Sequence, residues 1–309
     1  MTPTLLVASP GGHLDELILH AERLGIAGPD AIWVTSRTAQ SESLLEGQEV
    51  MWIPRIASGE IGKAIKAIPS ALRIQRRVKP ARIVTTGALL ALPHMLASWG
   101  RRCDVWYIES ATRIAAPSST GKFARYFTKA KLFTQSDGWN PRYWVRVPSV
   151  FDAFETYETE PEDIAISTVV VSLGSETWPF PQAVERVQEL FPSARITWQV
   201  GHTDYVLNGK TLRKWIPANE LRAEIRRADC VIMHAGVGSV LSSLMEGKVP
   251  VILPRRQDRG EMIDNHQQEL APKLLERGLA VSADPTNLTM DHILSAVRRR
   301  VRQRQLPED

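Results

Sequence analysis

The stretch HAGVGSVLSSLMEGKVPVILPRRQDRGEMIDNHQQ, residues 234–268, decides the fold class of this 309-residue chain. It follows the apolar run 231–233, bends at Gly236 and Gly238, and continues as a helical pattern over 239–246. A second apolar run, 249–253, leads into a cluster of arginines, carboxylates and amides. Apolar strands that alternate with helices are typical of a parallel sheet, which binds ligands at the carboxyl ends of its strands. We therefore expect both polar loops to lie at one ligand-binding edge.

The chemistry of these two loops indicates a sugar carried on a diphosphate. A helix that begins at a glycine-rich turn directs free amide N–H groups and the positive end of its dipole toward the turn, where an anion binds well. Arginines suit phosphates, whereas carboxylates and amides suit sugar hydroxyls. A tight turn without a ligand would explain the glycines equally well, but not the second polar cluster. The candidate residues are His234, Gly236, Gly238, Ser239, Arg255, Arg256, Glu261, Asp264, Asn265, His266 and Gln267.

The first half of the chain places a second candidate site after its first apolar strand, in SPGGHLDE at residues 9–16. Gly11 and Gly12 allow a ligand to approach the backbone closely. His13 has a side chain that titrates near neutrality, so it is suited to take a proton from a hydroxyl that attacks an anomeric carbon. A histidine that merely caps or packs at the helix start would fit the position equally well. Gly87 and Glu109 also follow predicted strands, and we expect both to contact the acceptor.

The alternation of strands and helices predicts an α/β chain with two Rossmann-like domains whose parallel sheets face a central cleft. We expect an acceptor-binding domain over residues 1–150, an acidic linker over 151–163, and a nucleotide-sugar-binding domain over 164–309. The last helix is predicted over 290–304 and ends in a basic segment. The helix predicted over 61–78 alternates apolar and basic residues, which favours packing on the sheet but also fits a lipid surface.

Composition excludes several protein classes. Residues 1–150 carry a net charge of +8 and residues 151–309 carry −4, so the first half suits a phosphorylated substrate or an anionic membrane as well as an ordinary solvated surface. Cys103 and Cys230 form neither a disulfide framework nor a metal motif. The chain shows no signal peptide and no apolar run long enough to span a bilayer, so we expect a cytoplasmic protein. The stretch 118–122 lacks the spacing of an ATP-binding phosphate loop.

Taken together, these motifs resemble the bacterial capsule and exopolysaccharide glycosyltransferases related to the two-part eukaryotic enzyme that adds the second N-acetylglucosamine to dolichyl diphosphate. The resemblance covers nearly the whole chain, as though both subunits were fused. The acceptor-side motifs are SPGGHLDEL at 9–17, TTGALLALP at 85–93 and WYIESATRIAAPSSTGK at 106–122. The donor-side motifs are VVVSLGS at 169–175, TWQVGH at 197–202, ADCVIMHAGVGS at 228–239 and PRRQDRGEMIDNHQQEL at 254–270.

The resemblance implies a GT-B fold of the family-28-like type and an inverting hexosyltransferase that needs no metal and no cofactor besides its UDP-sugar substrate. It implies a polyprenyl-diphosphate-linked saccharide acceptor, peripheral contact with the cytoplasmic face of the plasma membrane, and no nucleic-acid partner. His13 occupies the place of the proposed base. Ser242 stands where relatives carry a ribose-binding glutamate. The resemblance adds Gly174, Ser175, Gly201 and Ala235 to the donor-binding candidates.

Two other functions remain open on the sequence. A soluble glycosyltransferase that decorates a small natural product would need no lipid surface. A non-catalytic subunit that binds a sugar nucleotide would bind UDP without turnover, although the presence of His13 and the 254–268 cluster in one chain argues against it. The donor sugar is also open, since Arg255 and Arg256 suit either a uronic acid or the diphosphate.

Overall fold

The structure, a computed structural model, describes residues 3–57, 59–159, 165–174, 178–207 and 210–304. The chain divides into two compact units, Met1–Val150 and Phe151–Asp309. None of the helices within the described ranges is both long and apolar enough to cross a membrane.

Unit 1 is built on a seven-stranded sheet in the order β3-β2-β1-β4-β5-β6-β7, with every neighbouring pair parallel. Its strands are β1 Thr4–Val7, β2 Ala31–Thr35, β3 Val50–Trp52, β4 Arg82–Thr85, β5 Asp104–Ile108, β6 Lys131–Thr134 and β7 Trp144–Arg146. Its helices are α1 Gly12–Arg23, α2 Ala39–Leu44, α3 Ile61–Val78, α4 Ala91–Ala97 and α5 Ser119–Phe127. The strand order reverses between β1 and β4, so the loops that follow these two strands open at the switch point where such sheets bind ligands.

Successive residues of β1 enter two different apolar layers, as the alternation of side chains along a strand requires. Leu5 and Val7 join a layer with Met95 and Tyr107, while Leu6 joins a layer with Leu17. Both faces of the sheet are therefore covered. This burial explains why the strands read as continuous apolar runs rather than as alternating ones.

Unit 2 contains a five-stranded parallel sheet in the order β10-β9-β13-β14-β15. Its strands are β8 Phe154–Glu158, β9 Thr168–Ser172, β10 Arg195–Gln199, β11 Val206–Leu207, β12 Lys210–Thr211, β13 Cys230–His234, β14 Val251–Leu253, β15 Val281–Ser282 and β16 Arg299–Gln303. Its helices are α6 Pro181–Leu190, α7 Ala218–Arg227, α8 Val237–Met245, α9 His266–Glu276 and α10 Met290–Val297. The order reverses between β9 and β13, which places the loop after the 169–173 run beside the HAGVGS turn.

Two sequence predictions fail at the ends of unit 2. The expected linker 151–163 contains β8, which pairs antiparallel with β16, and residues 160–163 lie outside the described ranges. The predicted helix over 290–304 ends with α10 at Val297, and its basic end is the strand β16. In β16 the buried Val301 alternates with arginines, and this strand forms only because a partner about 150 residues away in the chain supplies its hydrogen bonds.

Candidate functional site

His13 lies in the first turn of α1, where the loop after β4 fixes its orientation. Its Nδ1 lies 2.9 Å from the carbonyl oxygen of Thr86, and the Thr86 hydroxyl donates to the His13 carbonyl oxygen at 2.6 Å. A carbonyl oxygen only accepts, so Nδ1 carries the proton of the neutral ring and Nε2 is the basic nitrogen. The geometry therefore gives His13 the tautomer and the fixed orientation that a general base requires.

Gly11 and Gly87 were both predicted to contact the acceptor, and the structure gives a different reason for glycine at each position. Gly11 has a φ of 94°, and a Cβ placed on it would meet no atom within 4 Å. It also precedes a helix that lacks a side-chain cap, so the backbone at Gly11 has room for the close approach of a ligand. Gly87 has a φ of 102°, and a Cβ on it would lie 2.9 Å from the Tyr107 hydroxyl. Packing against Tyr107 thus explains this glycine.

Glu109 has a different role from the predicted one. It is only 1 % exposed, and its carboxylate accepts hydrogen bonds from the Ser118 amide at 2.9 Å, the Ser118 hydroxyl and the Tyr107 hydroxyl. A Cβ on Gly121 would lie 2.1 Å from Glu109 Oε2, so the start of α5 packs directly on this carboxylate. Burial raises the pKa of Glu109. The structure therefore places Glu109 beneath the β5–α5 loop, where it holds α5, rather than on a surface that meets the acceptor.

Glu16, in the first half of α1, is a second buried carboxylate of unit 1, and it bonds to the loop after β5 rather than to the His13 ring. It accepts hydrogen bonds from the Ser110 hydroxyl at 2.6 Å, from the Ala111 amide at 2.9 Å and from Gln135 Nε2 at 2.7 Å. Burial raises the pKa of Glu16 to about 7, against the lowering effect of these donors. The carboxylate ties α1 to the loop that follows β5.

In unit 2, the imidazole of His234 fills the space between two glycines at the switch point. A Cβ on Gly174 would lie 2.4 Å from the ring, and a Cβ on Gly236 would lie 2.3 Å from it. Burial, aided by the positive charge of Arg255, lowers the pKa of His234 to about 3, so the ring is neutral. His234 therefore shapes the turn from within and does not present its ring as an exposed lining of a nucleotide pocket. The predicted Ser175 lies outside the described residues.

The helix α8 begins at this turn without a side-chain cap on its first amides. Its N-cap is Gly236, whose carbonyl accepts the first helical bond from Val240. The first-turn amides, which include those of Gly238 and Ser239, have no partner within the helix, and this arrangement suits a phosphate. The Ser242 hydroxyl donates to the Gly238 carbonyl at 2.8 Å. The Ser242 hydroxyl thus bonds to its own helix, whereas the glutamate expected at this position would extend to a ribose.

The structure contradicts the prediction that Arg255 binds the diphosphate. Its side chain is 1 % exposed, and its guanidinium donates to the carbonyl oxygens of Leu173 at 2.9 Å, Trp178 at 2.8 Å and Glu261 at 3.2 Å. The guanidinium also lies 4.6 Å from the centre of the Phe180 ring. Buried charges require such hydrogen bonds. Arg255 therefore ties its own loop after β14 to the segment between β9 and α6 from inside the unit, and its guanidinium cannot reach a bound diphosphate without leaving these carbonyls.

The remaining members of the 254–268 cluster divide into internal and surface groups. The buried Glu261 accepts from the Arg256 amide at 2.9 Å, and the buried Gln267 accepts from the Arg255 amide at 3.1 Å, so both fix the loop backbone. Asp264 and His266 form a close pair whose side chains are 34 % and 16 % exposed. Of the four residues predicted to orient the donor sugar, Asp264 and His266 keep part of their side chains accessible, whereas Glu261 and Gln267 are buried.

An aromatic surface that was not predicted from the sequence lies beside Gly201. The Gly201 amide donates to the Lys214 carbonyl at 3.0 Å, which lays the segment before Trp215 along the end of β10. Trp215 is 49 % exposed and packs edge-on against His202, with ring centres 5.4 Å apart. The available signal was a tryptophan in a polar loop, where burial in the core is not expected. Across the described part of the chain, no group of His, Cys, Asp or Glu is arranged to hold a metal ion.

The second unit is similar in sequence to known proteins. Residues 168–305 match the glycosyltransferase family 28 C-terminal domain. The UDP-N-acetylglucosamine transferase subunit ALG13 of Yarrowia lipolytica is 45% identical over 67 residues, which are 21% of this chain and 32% of that protein. ALG13 of Saccharomyces cerevisiae is 41% identical over 59 residues, 19% of this chain and 27% of that protein. The chain thus aligns with about a third or less of the length of these two relatives.

Solved structures extend the likeness to nearly the whole chain. MurG of Acinetobacter baumannii superposes with a TM-score of 0.54 and 18% identity, covering 94% of this chain and 87% of that one. The glycotransferase of kitacinnamycin superposes with a TM-score of 0.60 and 16% identity, covering 96% and 90%. These neighbours confirm the predicted α/β fold of the GT-B class.

Proposed function

We propose that the protein is an inverting glycosyltransferase that moves a hexose from a UDP-sugar to a saccharide linked to a polyprenyl diphosphate. The observation that carries the proposal is the turn at Gly236, where the buried His234 ring packs against the backbone and α8 begins without a side-chain cap, inside the segment that matches the family 28 C-terminal domain. Uncapped amides at that start suit the diphosphate of a sugar nucleotide. The ALG13 relatives, which are named as subunits of a UDP-N-acetylglucosamine transferase, support the same donor class.

In the proposed reaction, the acceptor hydroxyl attacks the anomeric carbon of the donor as the bond from that carbon to the UDP oxygen breaks. The hydroxyl proton passes to Nε2 of His13, whose Nδ1 proton is held by Thr86. UDP leaves with the bonding electrons, and the amides at the start of α8 stabilise the added negative charge. This route requires no metal ion. Attack from the side opposite the leaving group inverts the anomeric configuration.

Trp215 offers the nucleotide base a surface for stacking. Its indole is half exposed at the end of β10, beside the turn at Gly201. Aromatic faces of this kind stack on nucleobases without needing a particular hydrogen-bond pattern. The Asp264 and His266 pair, also partly exposed, supplies hydrogen-bonding groups for sugar hydroxyls.

A lipid-linked acceptor requires contact with a membrane, and unit 1 has a surface of suitable chemistry. The first turns of α3 expose Ile61 by 60 % and Ile65 by 56 %, next to the exposed Lys63 and Lys66. Only part of the apolar face of this helix therefore packs inside. Apolar groups interleaved with lysines bind anionic lipid surfaces. We assign this face to peripheral contact with the cytoplasmic leaflet and the reaction to exopolysaccharide or capsule assembly.

The direct test is a UDP-release assay with four donors, namely the UDP derivatives of glucose, galactose, glucuronic acid and N-acetylglucosamine. The acceptor is a prenyl-diphosphate-linked saccharide in vesicles that contain anionic lipid. We expect release with one donor that depends on the acceptor and on the vesicles. Turnover with a free soluble acceptor and no lipid would instead support the small-molecule enzyme. UDP binding without turnover under any of these conditions would support the non-catalytic subunit.

The role of His13 is tested by His13→Ala. Loss of general-base catalysis typically costs about 10²- to 10⁴-fold in rate, and UDP affinity should not change. His292→Ala is the matched control, because His292 caps α10 at the surface of unit 2. Turnover of His13→Ala at the control rate would remove His13 from the mechanism.

A further inference from the structure

The loop between β5 and α5, residues 110–117, is held at both of its ends by buried carboxylates, which we call the two anchors. The first anchor is Glu16, which accepts from the Ser110 hydroxyl and the Ala111 amide. The second is Glu109, which accepts from the Ser118 amide. A chain segment with no regular structure gains a defined shape from such bonds, because each one restricts its backbone.

The backbone of Arg113 is fixed inside this loop. Its amide donates to the Ser110 carbonyl at 2.9 Å, and its carbonyl accepts from the Ser136 hydroxyl at 2.9 Å. The side chain of Arg113 is partly exposed, and it is the sole cationic residue of the 110–117 sequence. The amide hydrogen bond to Ser110, two residues after the end of β5, places Arg113 at the carboxyl end of that strand.

Three loops of unit 1 meet at this edge of the sheet. Strands β1, β4 and β5 are neighbours, so the loops that follow them carry His13, Thr86 and Arg113 to the same side. Glu16 lies one helical turn after His13 on α1 and connects that helix directly to the Arg113 loop. The helix that carries the proposed base is therefore bonded directly to the loop that carries this arginine.

We propose that Arg113 binds the diphosphate of the lipid-linked acceptor and that Glu16 is the positioning residue for it. This inference rests on the proposed function and extends it to the group that distinguishes a diphosphate-linked acceptor from a monophosphate-linked one. A guanidinium pairs with phosphate oxygens through two parallel hydrogen bonds. The uncapped start of α1 after Gly11 adds amide donors on the same side.

The hydrogen-bond pattern at Glu16 predicts which substitutions the loop tolerates. The Ser110 hydroxyl can accept as well as donate, whereas the Ala111 amide and Gln135 Nε2 only donate. A glutamine at position 16 can therefore donate to Ser110 and accept from the other two through its carbonyl oxygen. Alanine removes all three bonds. The positioning role thus depends on hydrogen bonds and not on charge.

The first experiment compares diphosphate- and monophosphate-linked forms of one acceptor. Arg113→Ala should raise KM for the diphosphate form by about tenfold or more, the cost of one charge-assisted hydrogen bond, and change KM for the monophosphate form less. UDP affinity should be unchanged. Arg55→Ala, an exposed arginine of the same unit, is the control. Equal losses with both acceptors, or none with either, would overturn the assignment of Arg113.

The second experiment tests Glu16 through KM, kcat and amide hydrogen exchange. Glu16→Ala should raise KM for the acceptor by roughly the same factor as Arg113→Ala, leave UDP affinity intact, and speed exchange at residues 110–113. Glu16→Gln should restore KM to within about threefold of wild type, since all three bonds can reform. Glu46→Ala, at an exposed glutamate, is the control. Failure of glutamine to restore KM, or unchanged exchange in the alanine variant, would refute the positioning role.

A probe that needs no turnover separates this inference from the proposed function. Inorganic pyrophosphate should slow amide exchange at residues 110–113 in the wild-type chain and have no such effect in Arg113→Ala. If no sugar is transferred but this protection is found, the transfer reaction fails while the diphosphate site stands. If transfer occurs and pyrophosphate gives no protection in the wild-type chain, the Arg113 site is wrong.

Discussion

The His234 ring packs between Gly174 and Gly236, and alanine substitutions at these glycines test that contact. Gly236→Ala places a methyl group 2.3 Å from His234 Nε2 at a φ of −86°, where alanine is unstrained. Gly174→Ala places one 2.4 Å from the ring and adds the strain of a φ of 80°. Gly260→Ala, in the same unit, has a φ of 69° and no atom within 4 Å, so it measures backbone strain alone.

These geometries rank the three variants by their loss in the free energy of unfolding. A left-handed backbone costs an alanine about 1–2 kcal/mol, which is the whole expected effect of Gly260→Ala. Overpacking costs about 1–3 kcal/mol, which is the expected effect of Gly236→Ala. Gly174→Ala combines both contributions, for a loss of about 2–5 kcal/mol. The ring cannot move aside easily, since it is buried with little free space around it.

The assay is urea unfolding of the full chain, with the amides of β13 followed by hydrogen exchange so that unit 2 is observed separately. His234→Ala should remove the clash, so in that background Gly236→Ala should cost close to nothing while the effect of Gly260→Ala persists. A cost of Gly236→Ala that is equal in both backgrounds would refute the reasoning. So would a Gly236→Ala variant that is as stable as wild type.

Three further predictions concern charge and strand pairing. Burial lowers the pKa of His20 and His94 to about 4 from their usual 6.5, so the unfolded chain binds more protons in that range. The free energy of unfolding of unit 1 should therefore fall between pH 6.5 and pH 4, by up to about 3 kcal/mol for each ring. The pKa of Glu16 is raised to about 7, so folding takes up a proton between pH 7 and 4.5, and this uptake opposes the loss caused by the two histidines. In Glu16→Gln the free energy of unfolding should therefore fall more steeply with acid, as measured by urea titrations at several pH values. Arg255→Ala leaves three carbonyl oxygens without their buried donor and should lower the free energy of unfolding by about 3 kcal/mol or more, whereas Arg256→Ala, at an exposed pair with Asp258, should change it little in the same assay. A chain that starts at residue 164 lacks β8 and should lose the cooperative thermal unfolding, followed by circular dichroism, that a chain starting at 151 retains.

Much of the fold followed from local patterns. The strands predicted at 5–8 and 231–233 and the helix predicted over 61–78 lie within one residue of β1, β13 and α3, because strand and helix periods depend on neighbouring residues. The strands β8 and β16 were missed for the opposite reason. Each is too polar to be recognised by itself, and only their pairing makes either one a strand.

The candidate site shows the same division. The sequence alone determined the glycine-rich turns, the histidine at the start of α1 and the polar cluster after β14, since these are properties of residue type and spacing. Only the tertiary structure decided which polar groups face inward. Glu109, Arg255 and Glu261 look like ligand-binding residues in the sequence, yet burial and hydrogen bonds to distant loops make them part of the framework. Whether a charged side chain is exposed depends on contacts between segments far apart in the chain, which local periodicity does not record.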